Sequence, residues 1–307
     1  MYELLIVGGG PGGVAAGVYA ARKKIKTILV TDSFGGQSLT SDDIQNWVGM
    51  KSVSGFDLAK MLEEHLRAQE DIEIADGDVV EKIERIPEGF RATTKGGRTI
   101  EAKYVLLASG SRRKRLGVPG EAALEGRGVV FCSTCDAPLF RDKAVAVVGG
   151  GNAGLEAVVD LFPYASKIYL VVRSEMKGDP ITQEKVKTNP KTEIITNALP
   201  QEIVGDTAVT GLRYKDSLSE EIKEISVQGV FVEIGSVPNS DFVKDLVQLN
   251  ARGEVVVDHK TQKSSDPGIW AIGDVSDVLY KQNNISAGDA VKAVLNIYDS
   301  IHSRDRK

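Results

Sequence analysis

The stretch that decides the fold is Leu4–Gly13, LLIVGGGPGG, an apolar run that ends in a glycine-rich turn. The turn satisfies the pattern GxGxxG at Gly8, Gly10 and Gly13. In a dinucleotide-binding unit the first of these glycines makes a tight turn. The second lets the backbone approach a pyrophosphate, and the third allows close packing of helix on strand. The stretch therefore predicts the first strand and turn of such a unit.

The residues after the turn complete the pattern. A helix rich in small residues is predicted over residues 14–22, and a strand over residues 27–31 ends at Asp32. The pyrophosphate would lie at the helix N-terminus, and Asp32 stands where a carboxylate accepts hydrogen bonds from a ribose. The cofactor-binding residues predicted from this unit are Gly8, Gly9, Gly10, Pro11, Gly12, Gly13 and Asp32.

The same pattern recurs further along the chain. A strand over Ala144–Val148 leads into GGGNAG and a helix to about residue 162, and a second strand covers Lys167–Val172. A spacing similar to that from Gly8 to Asp32, counted from Gly149, leads to Val172 and Arg173, where there is no carboxylate. Because an arginine accommodates a 2′-phosphate, this pattern favours NADPH, although a strand-end arginine is often only solvated. The nucleotide-binding residues predicted are Gly149, Gly151, Asn152, Ala153, Gly154, Arg173 and Lys177.

The bulk composition limits the class of protein. The chain has 307 residues, of which 42% are hydrophobic and 26% charged, with a net charge of -5. This length suits two domains at roughly 100–200 residues each. The composition is that of a soluble protein and argues against nucleic acid or anionic membrane as a partner. The run Leu4–Val7 is too short for a signal peptide or membrane span, so we expect a cytoplasmic protein.

The two cysteines of the chain, Cys132 and Cys135, are followed directly by Asp136. A bridge between them would close a tiny loop, which argues against a structural staple. The three histidines lie far away in sequence, so no metal site is predicted. A CxxC pair in a reducing compartment most often carries out thiol–disulfide chemistry, and it then needs an electron source. Asp136 is the local candidate for acid/base work, and the alternative is that it caps the following turn.

A third motif lies near the C-terminus, where a buried parallel strand predicted over Ile269–Ile272 leads into Gly273 and Asp274. Together these elements resemble the low-molecular-weight thioredoxin reductase family and the reductase portion of the alkyl hydroperoxide reductase flavoprotein. The resemblance covers essentially the whole chain. It rests, in order, on GGGPGG, Phe34–Gln37, Gln45–Trp47, Leu107–Gly110, CSTCD, GGGNAG, Gly273–Asp274 and Tyr280–Gln282.

The resemblance implies an α/β protein with two Rossmann-like domains and a homodimeric assembly. An FAD domain is expected from residues 1–115 and 239–307, with a nicotinamide-nucleotide domain carrying the CxxC pair inserted at 116–238. Two Gly/Pro-marked segments, Leu116–Gly120 and Gly235–Asn239, are the candidate crossings and hinges. A rotation about them would alternately bring the disulfide and the nicotinamide to the flavin.

The resemblance also assigns roles to single residues. The first glycine turn and Asp32 would hold the ADP half of FAD, with Val79 at the adenine. Asp274, after Gly273, would bind the ribitol and Gln282 the isoalloxazine edge, while Cys135 faces the flavin and Cys132 attacks the partner. The remaining residues expected at the FAD site are Gly36, Gln37, Asn46, Ala108 and Gly110.

The expected activity is transfer of electrons from NADPH, through FAD and the Cys132–Cys135 disulfide, to a separate small thioredoxin- or glutaredoxin-like protein. NADPH-using members carry a histidine and two arginines where this chain has Val172, Arg173 and Ser174. The alternative is therefore an NADH-dependent or nicotinamide-independent reductase that feeds a peroxiredoxin system. A flavin-binding redox sensor without disulfide turnover is the interpretation from another class.

A basic run, Arg112–Arg115, lies beside the first predicted crossing. Such a run either steers an acidic partner or a nucleotide phosphate or forms a solvated loop. The sequence leaves both interpretations open.

Overall fold

A computed structural model describes residues 1–41 and 43–303. The chain forms two compact units, the first from residues 1–112 and 237–307 and the second from residues 113–236. The α/β class predicted from the sequence is confirmed. In the described part of the chain, no helix combines the length and the apolar character that a bilayer span requires.

Strands alternate with helices in parts of the chain, and runs of consecutive strands cover residues 72–113 and 192–238. The strands are β1 (Tyr2–Gly9), β2 (Thr27–Phe34), β3 (Ile72–Asp76), β4 (Val80–Ile86), β5 (Gly89–Thr94), β6 (Thr99–Leu107), β7 (Ser111–Arg113), β8 (Val129–Val130), β9 (Ala144–Val148), β10 (Lys167–Val171), β11 (Thr192–Ile195), β12 (Ala198–Gly205), β13 (Val209–Asp216), β14 (Ile222–Ser226), β15 (Gly229–Val232), β16 (Ser236–Pro238), β17 (Val257–Asp258), β18 (Lys263–Ser264) and β19 (Ile269–Ala271). The α-helices are α1 (Pro11–Arg22), α2 (Gly55–Arg67), α3 (Ser133–Asp136), α4 (Asn152–Leu161), α5 (Pro180–Thr188) and α6 (Asn283–Ser303). Short 3-10 helices cover Gly36–Thr40, Ala137–Phe140, Asp241–Val243 and Gly273–Val275.

The first unit is built on a sheet in the order β17-β18-β19-β6-β1-β2-β3, with β5 pairing β6 and β4 pairing β5. The five strands from β19 to β3 run parallel. Side chains alternate across β1, so Leu4 and Ile6 pack on one face with α1 and α6, and Leu5 and Val7 pack on the other face with β4 and β5. Helix α1 begins three residues before the predicted start, because Pro11 is favoured in the first helical turn.

The second unit has a fully parallel sheet in the order β11-β10-β9-β15-β8. One face, which includes Val145 and Val147 of β9, packs against α4 and α5. The other face, with Ala146 and Val148, packs against the antiparallel sheet β12-β13-β14. Buried on both faces, β9 is a continuous apolar run, as central parallel strands are.

The segment Leu116–Gly120, expected as a crossing, lies within the second unit. The Ile203 N–H donates to the Pro119 carbonyl at 2.9 Å, and the Leu116 N–H donates to the Glu121 carboxylate at 2.9 Å. The chain passes between the units slightly earlier, within β7, and returns within β16. The assignment of each unit to a particular cofactor stays a prediction.

Leu170 and Leu218 provide a matched test of the core of the second unit. Leu170 in β10 is 0% exposed and Leu218 is 79% exposed. We expect Leu170→Ala to lower the free energy of unfolding by about 2–5 kcal/mol, because it leaves a cavity in a packed core. Leu218→Ala should change it by less than about 0.5 kcal/mol. Urea unfolding followed by circular dichroism measures both, and equal effects would contradict this placement of the core.

Candidate active site

The first glycine turn has the geometry of a phosphate cradle. Gly8 has a φ of +112°, which favours glycine, and a Cβ at Gly13 would lie 1.8 Å from the Gly8 carbonyl oxygen. A Cβ at Gly10 would meet no heavy atom within 4 Å, so open space lies over the turn there. The turn therefore packs closely on its helix side and is open where a pyrophosphate would approach. These residues fit the dinucleotide expected from the sequence.

Three predicted FAD contacts lie near the carboxyl ends of parallel strands in the same sheet. Asp32 is exposed within the last three residues of β2, Ala108 follows β6, and Asp274 comes shortly after β19. The Ala108 N–H donates to the Val7 carbonyl at 2.8 Å, which places it beside the glycine turn. Because carboxyl ends of parallel strands meet at one edge of the sheet, the fold gathers residues that are far apart in sequence.

Gln37, which follows β2, is hydrogen-bonded to Asp274, which follows β19. Its side-chain amide donates to the Asp274 carboxylate at 3.1 Å and to the Ser111 carbonyl at 2.8 Å. The 3-10 helix that contains Gln37 begins at Gly36, whose Cβ would lie 3.4 Å from the Gly10 Cα. The predicted residues Gly36, Gln37 and Asp274 thus lie close to the first glycine turn. Gly110, with a φ of +65°, accepts the Asn239 N–H at 2.9 Å.

Asn46 and Gln282 also lie together, with the Asn46 amide donating to the Gln282 side-chain oxygen at 3.4 Å. Asn284, which was not predicted from the sequence, holds this pair. Its amide donates to the Asn46 carbonyl at 2.7 Å, and its oxygen accepts the Val48 N–H at 3.4 Å. The start of α6 therefore fixes the loop that carries Asn46.

Val79 lies on the loop between β3 and β4 and is 41% exposed. The preceding residue, Asp78, donates its N–H to the Thr31 carbonyl at 3.1 Å. This bond places the Val79 loop beside the end of β2, next to Asp32. An adenine contact at Val79 is compatible with that position.

The second glycine turn repeats the geometry of the first. Gly149 has a φ of +140°, and a Cβ at Gly154 would lie 2.0 Å from the Gly149 carbonyl oxygen. A Cβ at Gly151 would meet no heavy atom within 4 Å. The second unit therefore offers its own open cradle for a pyrophosphate at the start of α4.

Strand register identifies the counterpart of Asp32 in the second unit. In each unit, the residue just before the glycine turn pairs with a valine on the next strand, Val30 in the first and Val171 in the second. Asp32 and Arg173 each follow that valine by two residues. Val172 is only 2% exposed and packs in the core. Arg173, which is exposed, therefore takes the position that Asp32 has in the first unit.

The segment after Arg173 folds back onto the second glycine turn. The Lys177 N–H donates to the Gly150 carbonyl at 2.7 Å, and the Asn152 side-chain oxygen accepts the Asp179 N–H at 2.7 Å. The side chains of Arg173 and Lys177 are both exposed. Two cationic side chains thus belong to the segment next to the cradle, and Asn152 anchors that segment.

Cys132 and Cys135 form a disulfide, with their Cα atoms 5.4 Å apart. Cys135 lies in the short helix α3, and the Asp136 N–H donates to the Cys132 carbonyl at 3.0 Å. Asp136 is 7% exposed, and its side chain makes no capping hydrogen bond to the 3-10 helix that follows. A buried carboxyl next to the disulfide suits the acid/base role better than the capping role.

Two further carboxyl groups, which were not predicted from the sequence, lie beside Ser133, one of the two residues between the cysteines. The Ser133 hydroxyl donates to Asp160 at 2.8 Å, and the Ser133 N–H donates to the Glu233 carboxylate. Burial raises the pKa of Glu233 to about 7, and the charges of Asp136 and Asp160 add to this increase, while Arg113 and the Ser133 N–H oppose it. Glu233 directly follows the apolar run of β15, and that position was the only signal in the sequence.

The basic run Arg112–Arg115 makes internal contacts. Arg115 forms a two-bond ion pair with Glu125, at 2.5 and 3.0 Å, and stacks over the Phe131 ring. Arg112 donates to the Asn239 side chain at 3.2 Å. Within residues 1–41 and 43–303, no group of three or more His, Cys, Asp or Glu side chains could hold a metal ion.

Known proteins resemble this chain along nearly its full length. The F component of alkyl hydroperoxide reductase from Pseudomonas putida is 42% identical over 304 residues, which cover 98% of this chain and 58% of that protein. The chain thus spans little more than half the length of this relative. The thioredoxin reductase from Streptococcus pyogenes has a TM-score of 0.92 at 32% identity, over 99% of both chains. That of T. acidophilum has a TM-score of 0.67 at 36% identity, over 98% of this chain and 99% of that one.

These likenesses agree with the features of the chain itself. The structure has a thioredoxin reductase fold, two open glycine cradles and a disulfide in a CxxC motif. Residues 2–293 match the family described as pyridine nucleotide-disulphide oxidoreductases, whose members use FAD and a pyridine nucleotide. The chain belongs to the pyridine nucleotide-disulphide oxidoreductase family.

Proposed function

We propose that this protein is an FAD-dependent thioredoxin-disulfide reductase that takes electrons from NADPH and passes them, through Cys132–Cys135, to a small thioredoxin- or glutaredoxin-like protein. The observation that carries the proposal is the position of the disulfide. Cys132 follows β8, and the second glycine turn follows β9, in the same parallel sheet. The cysteine pair and the second glycine turn therefore lie at the same edge, the carboxyl edge, of one parallel sheet. The assembly we propose is a homodimer, as the family resemblance implies.

We assign FAD to the first unit and the nicotinamide nucleotide to the second. FAD, when bound, supplies two-electron chemistry between a nicotinamide and a disulfide. In the first unit, the open space over Gly10 would hold the pyrophosphate and Asp32 the ribose. Gln37, Asp274 and Gln282 are polar side chains already held in place by hydrogen bonds, so they would orient the flavin half with little loss of side-chain freedom.

The cysteine pair performs the final exchange. Two electrons break the Cys132–Cys135 bond and leave two thiol groups once two protons are taken up. The Cys132 thiolate then attacks the partner disulfide and forms a mixed disulfide, which Cys135 resolves by re-forming the bond with Cys132. The partner leaves with both electrons and two protons. Asp136 is the buried acid beside this exchange and would give and accept protons there.

We propose NADPH as the reductant because Arg173 occupies the position that Asp32 has in the first unit. An exposed guanidinium can bind a 2′-phosphate with two hydrogen bonds, whereas a carboxylate would repel it. Lys177, whose N–H binds the cradle, adds a second positive charge on the same segment.

A second candidate function is supported by the Pseudomonas relative, whose name links it to reduction of alkyl hydroperoxides. In this alternative, the Cys132–Cys135 pair feeds a peroxiredoxin system. The two functions share every step within this chain and differ in the carrier that receives the electrons. Activity with purified carriers therefore distinguishes them.

Anaerobic titration with NADPH, and separately with NADH, tests the proposal by following flavin absorbance. We expect rapid bleaching by NADPH and reduction of a thioredoxin-type disulfide in the presence of excess NADPH. Bleaching by NADH alone, with electrons reaching only a peroxiredoxin-linked carrier, would favour the second candidate. If dithionite bleaches the flavin but neither NADPH nor NADH does, the second glycine turn does not serve a nicotinamide donor as proposed.

The cysteine substitutions Cys132→Ser and Cys135→Ser should separate the two halves of the reaction. Carrier reduction should fall to background in both variants, because the exchange needs a second sulfur to resolve the mixed disulfide. Flavin bleaching by NADPH should persist, since neither side chain belongs to a cradle. Stopped-flow absorbance and a carrier assay measure the two steps. Carrier turnover in either variant would contradict the assignment.

Two glycine variants should separate the two cofactors. The new methyl group in Gly10→Ala or Gly151→Ala would point into open space, so the fold should persist while the group occupies the ligand position. We expect Gly10→Ala to be purified with at least about tenfold less flavin, and Gly151→Ala to keep flavin but lose rapid bleaching. Each variant is the control for the other, and normal cofactor behaviour in both would contradict the cradle assignment.

Arg173→Ala should raise the KM for NADPH about 10- to 100-fold, because charge-assisted hydrogen bonds to the 2′-phosphate are lost. The KM for NADH should stay unchanged. Lys187→Ala, on an exposed position of α5, is the matched control for removing a positive charge from the same unit. Steady-state kinetics with both nucleotides measures the effect. Equal changes for NADPH and NADH would show that Arg173 does not select the phosphate.

A further inference from the structure

Lys281 is a half-buried lysine of the first unit, and its amine contacts three acceptors. The Nζ donates to the Ser276 carbonyl at 2.5 Å and to the Asp274 carbonyl at 3.4 Å. It also forms an ion pair with the Glu254 carboxylate at 3.0 Å. A lysine ammonium has three N–H donors, so these contacts can use all of them. The side chain is therefore held in one position.

The Glu254 carboxylate is a fixed partner for this amine. Its side chain is 12% exposed, and its second oxygen accepts the Asn250 side-chain amide at 2.7 Å. The next residue, Val255, is fully buried, and its N–H donates to the Val275 carbonyl at 2.8 Å. Because both charges are largely shielded from water, removal of either partner would leave the other without compensation. The ion pair therefore attaches Lys281 to a well-packed part of the first unit.

The two carbonyl groups that Lys281 binds lie in and just after the short 3-10 helix Gly273–Val275. A helix of one turn leaves most of its carbonyl groups without a partner inside the helix. The Ser276 N–H and hydroxyl both donate to the Gly273 carbonyl, at 3.0 and 2.7 Å. The next carbonyl, that of Asp274, is bound by Lys281. The backbone of Asp274 is thus fixed by an amine from outside the helix.

The side chain of Asp274 is oriented by other contacts. Its carboxylate accepts the Gln37 amide at 3.1 Å and the Ser111 hydroxyl at 3.2 Å. These contacts keep the carboxylate in place only while the backbone of Asp274 stays where it is. Lys281 supplies that backbone support, and it also directly precedes Gln282 in the chain. One amine therefore joins the two segments that carry the predicted ribitol and isoalloxazine contacts.

We propose that Lys281 is a positioning residue that holds the Asp274 carboxylate in place for the ribitol hydroxyl groups of FAD. The inference rests on the proposed function, which assigns FAD to the first unit. Lys281 acts through its hydrogen bonds to the backbone, and no bond to it forms or breaks in the reaction. A carboxylate that is already in position binds hydroxyl groups without first restricting the freedom of its loop. Loss of the amine should therefore weaken the binding of FAD.

The test is the rate at which the purified, flavin-loaded protein releases FAD on dilution, followed by the rise in flavin fluorescence. Lys281→Met keeps most of the apolar stem of the side chain but has no N–H donor. We expect it to release FAD about tenfold faster than the wild type, as when a residue that orients a metal ligand is removed.

Lys191→Met is the matched control. The Lys191 amine also donates to two backbone carbonyls, those of Phe162 and Ala165, each at 2.9 Å, but it lies in the second unit. Its rate of FAD release should stay within about twofold of the wild-type rate. Equal acceleration in both lysine variants would overturn the inference, because it would show a general effect of removing a buried amine.

A double-mutant cycle separates positioning from a general effect on the fold. In an Asp274→Ala background there is no carboxylate to position, so Lys281→Met should change the release rate by less than about twofold. Additive effects of the two substitutions would overturn the inference. If Asp274→Ala carries no flavin, the comparison of Lys281→Met with Lys191→Met decides. If Lys281→Met does not fold, Lys281→Gln replaces it with the same expected result, because glutamine has no charge and is one bond shorter.

Failure of the inference can be told apart from failure of the proposed function. If FAD does not belong to the first unit, the wild type contains no flavin or Gly10→Ala keeps its flavin. If Gly10→Ala loses flavin while Lys281→Met releases it at the wild-type rate, only the inference about Lys281 is wrong. Neither NADPH nor a carrier enters the measurement, so the identity of the electron donor and of the carrier does not affect it.

Discussion

Close contact between helix and strand is the constraint on which both sites depend. At Gly13 and at Gly154 a side chain would collide with the carbonyl oxygen of the first glycine in the same turn. Without this contact, the helix could not begin directly at the strand end, and its first N–H groups would not face the open space above the turn. The same contact fixes the carboxyl edge of each sheet, where the other functional residues collect.

Because both sites depend on glycine residues at fixed positions, much of the fold could be predicted from the sequence. Glycine positions, apolar strands, the spacing to Asp32 and the CxxC spacing are local features, and they were sufficient for the α/β class, the repeated unit and the disulfide. The spacing of 24 residues from Gly8 to Asp32, applied to Gly149, leads to Arg173. The pairing of Val171 with Val148 agrees with this, because it makes Arg173, and not the buried Val172, the counterpart of Asp32. Register between strands is a tertiary property that no short window contains.

Glu233 and Asn284 were missed for a related reason. In sequence, a glutamate after an apolar run resembles an ordinary solvated strand end, and an asparagine at a helix start resembles a cap. In the structure, β8 brings the cysteine turn to Glu233, and the loop around Asn46 reaches Asn284. Both contacts join segments separated by about a hundred residues or more. For the segment Leu116–Gly120 the local signal was misleading. Its glycine and proline residues indicate a crossing between units, but the Pro119 carbonyl accepts a hydrogen bond from Ile203 within the second unit.

The strand order of the second unit has an evolutionary consequence. Along its carboxyl edge Arg173 follows β10 and Cys132 follows β8, and the strands β9 and β15 lie between them. Three strand spacings separate them by about 14 Å, which exceeds the screening length of about 8 Å at physiological salt. If Arg173 selects the nucleotide as proposed, a substitution at the end of β10 can exchange one electron donor for another while leaving the thiol chemistry at β8 nearly untouched. Selection can act on the two ends separately, and a lineage can change its electron donor without altering its redox centre.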